Sequence, residues 1–304
     1  GPIAVDNLIV TRHILKYHKG KFDDLFGSVS AIKTDVMAKT GAESFDIIKG
    51  FVNETNSNLL IAVDALKARE IKRLAKETGY SCDFIDIKEG VSRINVKMKD
   101  FDGTEINGMG PVIDEGALNA LMKKLDMLKN GDVLVLAGSI PSSMPSDIYS
   151  RILEALNGRR IRFVVDATKN LLLNVLQFRP FLIKPNNHEL GEIFGVTLVS
   201  KDDVVPYAKK LQEMGAVNVL VSMAGEGAVF VDETGKVHQL DAPKGILVNA
   251  VGAGDSMVAG FLAGWEEQRN YEHAFKMAVA AGSASAFSEL LATKDEIRTL
   301  YETL

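Results

Sequence analysis

The chain has 304 residues, 46% hydrophobic and 25% charged, which is enough apolar material for one large or two ordinary cores and excludes a disordered chain. A net charge of -5 without a long basic run argues against nucleic acid as the main partner, because phosphate backbones are held by clustered Lys and Arg. The one cysteine, Cys82, excludes an intrachain disulfide and fits a reducing cytoplasm, and neither a membrane-spanning apolar run nor a signal-peptide pattern is present, so no membrane partner is expected.

Residues 59–63 read as a buried strand, followed by a helix over 65–77 with Leu66, Ile71 and Leu74 near helical spacing. A strand is expected at 83–87, and the alternation of Ile94, Val96 and Met98 predicts a half-exposed strand within 92–99. Further strands are expected at 133–137, 161–165, 181–184, 217–222 and 228–231. Helices lie between most of them, at 114–129, 146–157, 188–194 and 202–214. The stretches 253–266 and 271–290 are helical and rich in Ala and Gly. Strands alternating with helices mean an α/β fold with a largely parallel sheet, whose ligands sit at the carboxyl ends of the strands.

The stretch Asn249-Ala250-Val251-Gly252-Ala253-Gly254-Asp255-Ser256 carries the most chemistry. Its small residues let the amides of Gly252, Ala253 and Gly254 converge at the start of a helix, whose N-terminus adds positive partial charge. That is an anion hole suited to a phosphoryl group in transfer, with Asp255 at its mouth to accept a hydroxyl proton. On these residues alone, an ordinary helix cap is the blander and favoured reading.

Other segments shift the balance. Lys184-Pro185-Asn186-Asn187-His188-Glu189 follows a strand and puts an amide and a carboxylate at a helix start, able to orient waters on Mg²⁺; a plain first-turn acid is the alternative. His188 is expected to be merely exposed. In Ser222-Met223-Ala224-Gly225-Glu226-Gly227, two glycines let the backbone pass close to a ligand, or make a simple hairpin turn. Gly138-Ser139-Ile140-Pro141 leaves the carboxyl end of the 133–137 strand. Arg93 could grip a phosphate with its fork of donors, although an isolated Arg on an exposed strand is more often solvated.

Taken in order, these segments resemble the ribokinase-like (PfkB) sugar kinases, in particular the branch of 1-phosphofructokinases and tagatose-6-phosphate kinases. The resemblance runs from about residue 78 to 304 and includes Asp83-Phe84-Ile85, Ser92-Arg93-Ile94-Asn95-Val96-Lys97, Glu105-Ile106-Asn107-Gly108, Leu136-Ala137-Gly138-Ser139-Ile140-Pro141, Leu182-Ile183-Lys184-Pro185-Asn186 and Val251-Gly252-Ala253-Gly254-Asp255-Ser256. Ala250 stands where the family usually has Ser or Thr.

The resemblance implies a three-layer α/β/α fold with a mostly parallel sheet and a partial β lid over about 91–109. It implies ATP, Mg²⁺ and a ketohexose phosphate, fructose 1-phosphate or tagatose 6-phosphate, and leaves room for a monovalent cation and a homodimer. Asp255 would be the base, and Gly252, Ala253 and Gly254 would hold the transferring phosphate. Lys184, Asn186, Glu189, Ser222, Gly225 and Gly227 would surround ATP and Mg²⁺, with Glu189 reaching the metal through water. Arg93 would bind the phosphate already on the sugar, and Ser139 would lie near the substrate.

Residues 1–76 depart from this pattern. The family's Asn-Pro-x-x-Asp segment and Gly-Gly-Lys-Gly loop, which supply much of the sugar site, are not found there. Leu8-Ile9-Val10-Thr11-Arg12-His13, Gly41-Ala42-Glu43-Ser44, Asp46-Ile47-Ile48-Lys49-Gly50 and Leu60-Ile61-Ala62-Val63-Asp64-Ala65-Leu66 resemble the germination (spore) protease family instead. That likeness would place one of two proposed acidic catalytic residues at Asp64, with the other falling before Gly1, so protease activity is not expected. The reading is a chimera, with a protease-like α/β segment over 1–76 replacing the usual kinase N-terminus and a kinase core over 77–304; the blander alternative is a divergent kinase whose N-terminus only happens to resemble the protease. The alternative function is a scaffold that keeps the nucleotide site and phosphorylates little or no sugar.

Overall fold

A computed structural model of the chain describes residues 83–87, 95–97, 105–107, 110–138 and 140–304. They divide between two compact units, one ending at Leu121 and the other running from Met122 to Leu304. The expectations for 1–76, Asp64, Cys82, Arg93 and Ser139 lie outside the described residues.

In the first unit, β1 (Asn95–Lys97) and β2 (Glu105–Asn107) pair antiparallel, with Val96 opposite Ile106. The strand expected at 83–87 is not formed; these residues have no regular structure and Phe84 is exposed. Helix α1 (Glu115–Leu125) begins where the Asp114 carboxylate accepts the Ala117 N–H at 2.7 Å.

The second unit is built on a six-stranded sheet in the order β3 (Val133–Ala137), β4 (Arg162–Asp166), β5 (Leu182–Ile183), β6 (Asn218–Ser222), β7 (Ala228–Val231), β8 (Val237–Leu240). The first four are parallel and the last two turn back antiparallel. Parallel neighbours need crossovers. Here α2 (Ile148–Ala155), α3 (Lys169–Val175), and the pair α4 (Asn187–Phe194) and α5 (Lys201–Glu213) supply them. Among the described residues β3 and β8 are the outer strands, and β8 is tied to the start of α5 by Gln239 to Asp202 and Lys201 to Asp241.

Side chains on a strand alternate between faces. Leu220, Ala228 and Phe230 point to one face, where they pack with Val258, Phe261, Phe275 and Ala278 of α6 (Ala253–Gln268) and α7 (Tyr271–Phe287). Val219, Val221, Val229 and Val231 point to the other, and α5 lies against β6 and β7. The Phe230 ring meets Phe261, Phe275 and Tyr271 at centroid distances of 5.0, 5.6 and 5.7 Å. Burying such a side chain is worth about 1.5–3 kcal/mol, so this cluster fixes the helical layer on the sheet. A Cβ on Gly260 would come within 2.5 Å of the Met277 carbonyl and 2.6 Å of the Ala281 Cβ, so α6 and α7 touch backbone to backbone there. The final helix, α8 (Lys294–Tyr301), starts in a capping box of Thr293 and Glu296. No helix among the described residues is long and apolar enough to cross a membrane.

Candidate active site

Four parallel strands end on one edge of the sheet, and the chain's unusual residues gather there. Asp166 ends β4, and Lys184 follows β5 directly. The Lys184 ammonium lies 3.3 Å from the Asp166 carboxylate, and the residue is only 6% exposed. A buried ammonium requires a partner, and Asp166 is that partner. Burial pushes the Asp166 carboxyl above its usual range; the Lys184 ammonium pulls it back, while the charges of Asp255 and Glu189 push it up again. The Asp166–Lys184 pair thus sits within the electrostatic reach of two further carboxylates, Asp255 and Glu189.

The other side of Lys184 is the start of α6. A Cβ placed on Gly254 would sit 3.2 Å from the Lys184 Nζ, so the ammonium lies against the glycine turn. Gly252 occupies the N-cap with φ of 82°, a left-handed conformation that a side chain would strain, and no side chain caps the helix. The Ser256 N–H makes the first intrahelical bond, to the Gly252 carbonyl at 2.8 Å. The Ala253 N–H is turned back to the Ala250 carbonyl at 3.2 Å, so the amides left for an anion are those of Gly252, Gly254 and Asp255. The Asp255 carboxylate, on the first turn and partly exposed, makes no ion pair with another described residue.

Asn186 and Glu189 form a reciprocal capping box at α4. Asn186 Oδ1 accepts the Glu189 N–H, and Glu189 Oε2 accepts the Asn186 N–H, both at 2.8 Å. The structural reading of this pair therefore holds, and it also fixes where the second carboxylate oxygen and the amide NH₂ point. Among the described residues no three His, Cys, Asp or Glu side chains converge to ligate a metal directly. Ser222 bridges to Asn186 in parallel fashion and donates its N–H to the Pro185 carbonyl at 3.2 Å.

The glycines of the β6–β7 hairpin separate in role. Gly225 faces open space, whereas Gly227 is buried with φ of 91° and packs against the backbone of Leu240, Asp241 and Ala242. The close approach expected between Gly227 and a ligand is thus an approach to the end of β8. His188 is exposed, as expected.

Sequence reasoning missed Asp166 and Tyr149. Asp166 left only the signal of an acid closing an apolar strand, Arg162-Phe163-Val164-Val165-Asp166. The Tyr149 hydroxyl donates toward the carbonyls of Ala137 and Gly138, and nothing in the spacing of these residues announces it.

The profile of the pfkB family carbohydrate kinase matches residues 56–297. A 1-phosphofructokinase of Bacillus subtilis (strain 168) is 47% identical over 245 residues, 80% of each chain. A D-tagatose-1-phosphate kinase of Bacillus licheniformis is 33% identical over 208 residues, 68% of each chain. Among solved structures, the phosphofructokinase-2 from Escherichia coli in complex with substrates and products is 26% identical, with a TM-score of 0.71 over 79% of this chain and 80% of that one.

Proposed function

The chain belongs to the pfkB family of carbohydrate kinases, and from that membership we propose that it transfers the γ-phosphoryl group of ATP to a hydroxyl of a ketohexose phosphate, fructose 1-phosphate or tagatose 6-phosphate. The observation that carries this reading is the Lys184 ammonium lying against an uncapped glycine turn, with Asp255 on the helix that the turn opens. Asp255 takes the proton of the sugar hydroxyl as its oxygen forms the new bond to phosphorus and the bond to ADP breaks. The amides of Gly252 and Gly254, the α6 N-terminus and Lys184 stabilise charge on the transferring group. Asp166 keeps Lys184 in place, and Asn186, Glu189, Ser222 and Gly225 line the nucleotide side. Mg²⁺ would supply neutralisation of the phosphate oxygens, and Glu189 would hold one of its waters.

The sugar side is read from the resemblance: Arg93 for the phosphate already on the sugar, and Ser139 beside the substrate. We also propose the division into a protease-like segment over 1–76 and a kinase core over 77–304. The family match begins at residue 56, inside that segment and ahead of its Leu60-Ile61-Ala62-Val63-Asp64-Ala65-Leu66 likeness, and leaves out residues 1–55.

A coupled assay of ADP release with each sugar phosphate tests the function. Turnover is expected, and Asp255→Ala should lower kcat by roughly 10²–10⁴-fold, as loss of a general base does. ATP binding without turnover of either sugar in the parent chain would instead leave a nucleotide-binding scaffold.

A further inference from the structure

Ser285 is a polar side chain in an apolar place. It stands near the end of α7, 2% exposed, between the buried Ala281 and Ala284. A buried hydroxyl needs hydrogen-bond partners, and this one has two. It donates to the Ser256 hydroxyl oxygen at 2.8 Å and accepts the Ala292 N–H at 3.1 Å. Ser256 follows Asp255 on the first turn of α6, and its N–H makes the bond that starts that helix. The same end of α7 also holds the chain just ahead of the glycine turn. The Ala286 carbonyl accepts the N–H of Val248 at 2.9 Å and of Asn249 at 3.0 Å, and the Asn249 side-chain amide donates to the Glu289 carbonyl at 3.3 Å. Between these two flanks the helices meet closely, since a Cβ on Gly282 would lie 3.1 Å from the Ala253 carbonyl. No side chain caps α6, so its first turn takes its anchor from α7.

We propose that Ser285 is a positioning residue for phosphoryl transfer: through the Ser256 hydroxyl it holds the first turn of α6, and with it the Gly254 and Asp255 amides and the Asp255 carboxylate, in place for the transferring group. This rests on the kinase reading of that turn. At 2% exposure the Ser285 hydroxyl is out of reach of either substrate, so it acts only through the turn. Amides and a base aimed at the group in flight act on the transition state more than on substrate binding. The signature of a loosened turn is therefore a fall in kcat with both KM values kept. Ser256→Ala separates this role from the other bond that Ser285 makes. It cuts the tether to α6, leaves the bond to Ala292 in place, and puts a better helix former in the turn.

Steady-state kinetics on the full chain with ATP and the sugar phosphate varied, together with thermal unfolding, test the proposal. Ser285→Ala and Ser256→Ala are each expected to lower kcat roughly three- to tenfold, the scale of one hydrogen bond, with both KM values little changed. The melting temperature of Ser256→Ala should stay near that of the parent. The double variant should lose no more kcat than the worse single one, because both remove the same bond. An unchanged kcat in Ser256→Ala overturns the proposal, since any loss in Ser285→Ala then runs through Ala292. A lowered melting temperature with kcat intact in both variants marks a structural bond and also overturns it, as do losses that multiply in the double variant. Failure of the kinase reading is visible separately, as a parent chain that turns over neither fructose 1-phosphate nor tagatose 6-phosphate, and the proposal then falls with it.

Discussion

Gly254 shows how one missing methyl group serves the site rather than the fold. Its backbone is helical and its neighbour is the flexible end of Lys184, so an added Cβ at 3.2 Å displaces the ammonium and leaves the helix intact. Alanine is favoured over glycine in a helix by up to about 1 kcal/mol. Gly254→Ala should therefore melt at the same or a slightly higher temperature while kcat falls by roughly tenfold or more, since a charge-stabilising group has moved. Differential scanning calorimetry beside the coupled assay checks that stability and activity part company. The glycine turn and Asp255 were legible as a motif because small residues followed by an acid at a helix start are rare in combination. Asp166 was not, because one acid after three apolar strand residues looks like any strand exit; only the parallel register brings it to Lys184.

The β7–β8 turn is organised by one carboxylate. Asp232 accepts the Thr234 N–H at 2.9 Å, the Thr234 hydroxyl at 2.6 Å and the Lys236 N–H at 3.2 Å, and its other oxygen meets His238 Nε2 at 2.8 Å. Burial alone would push this carboxyl up, but the bonds from His238, Thr234 and Lys236 outweigh it and hold it below its usual range. A lowered carboxyl favours the folded state above the ordinary carboxylate value and loses that contribution as pH falls through the folded one. Urea unfolding of Asp232→Ala should thus show a deficit of about 1–3 kcal/mol at pH 7, narrowing once pH drops below about 4. The same element marks where sequence reading ran out. The helices at 187–194 and 201–213 were read within a residue or so, their apolar spacing and caps being local. Strand β8, Val-His-Gln-Leu, has no apolar run, and its pairing to β7 depends on the Asp232 turn. Helix α8 was missed although Thr293 and Glu296 stand at capping-box spacing. The strand expected at 83–87 fails in the opposite sense: its short run of apolar residues is real, but it forms no strand among the described residues.

For the molecule as a whole, the proposed division has a direct test. If residues 1–76 replace the kinase's own sugar-clasping segments, then exchanging them for the corresponding segment of the Bacillus subtilis relative should lower the sugar-phosphate KM by at least about tenfold, the scale of one or two restored hydrogen bonds, and leave KM for ATP unchanged. Equal kinetics before and after the exchange would dismiss the division. A different consequence follows from the outer strand β8. A long, flat strand with unpaired amides invites a neighbouring molecule to stitch itself on and seed aggregates. This one has four residues, carries His238 and Gln239 at its centre, and is laced to the start of α5. Among the described residues, this border of the sheet thus offers a neighbouring copy little flat, unpaired backbone to stitch onto.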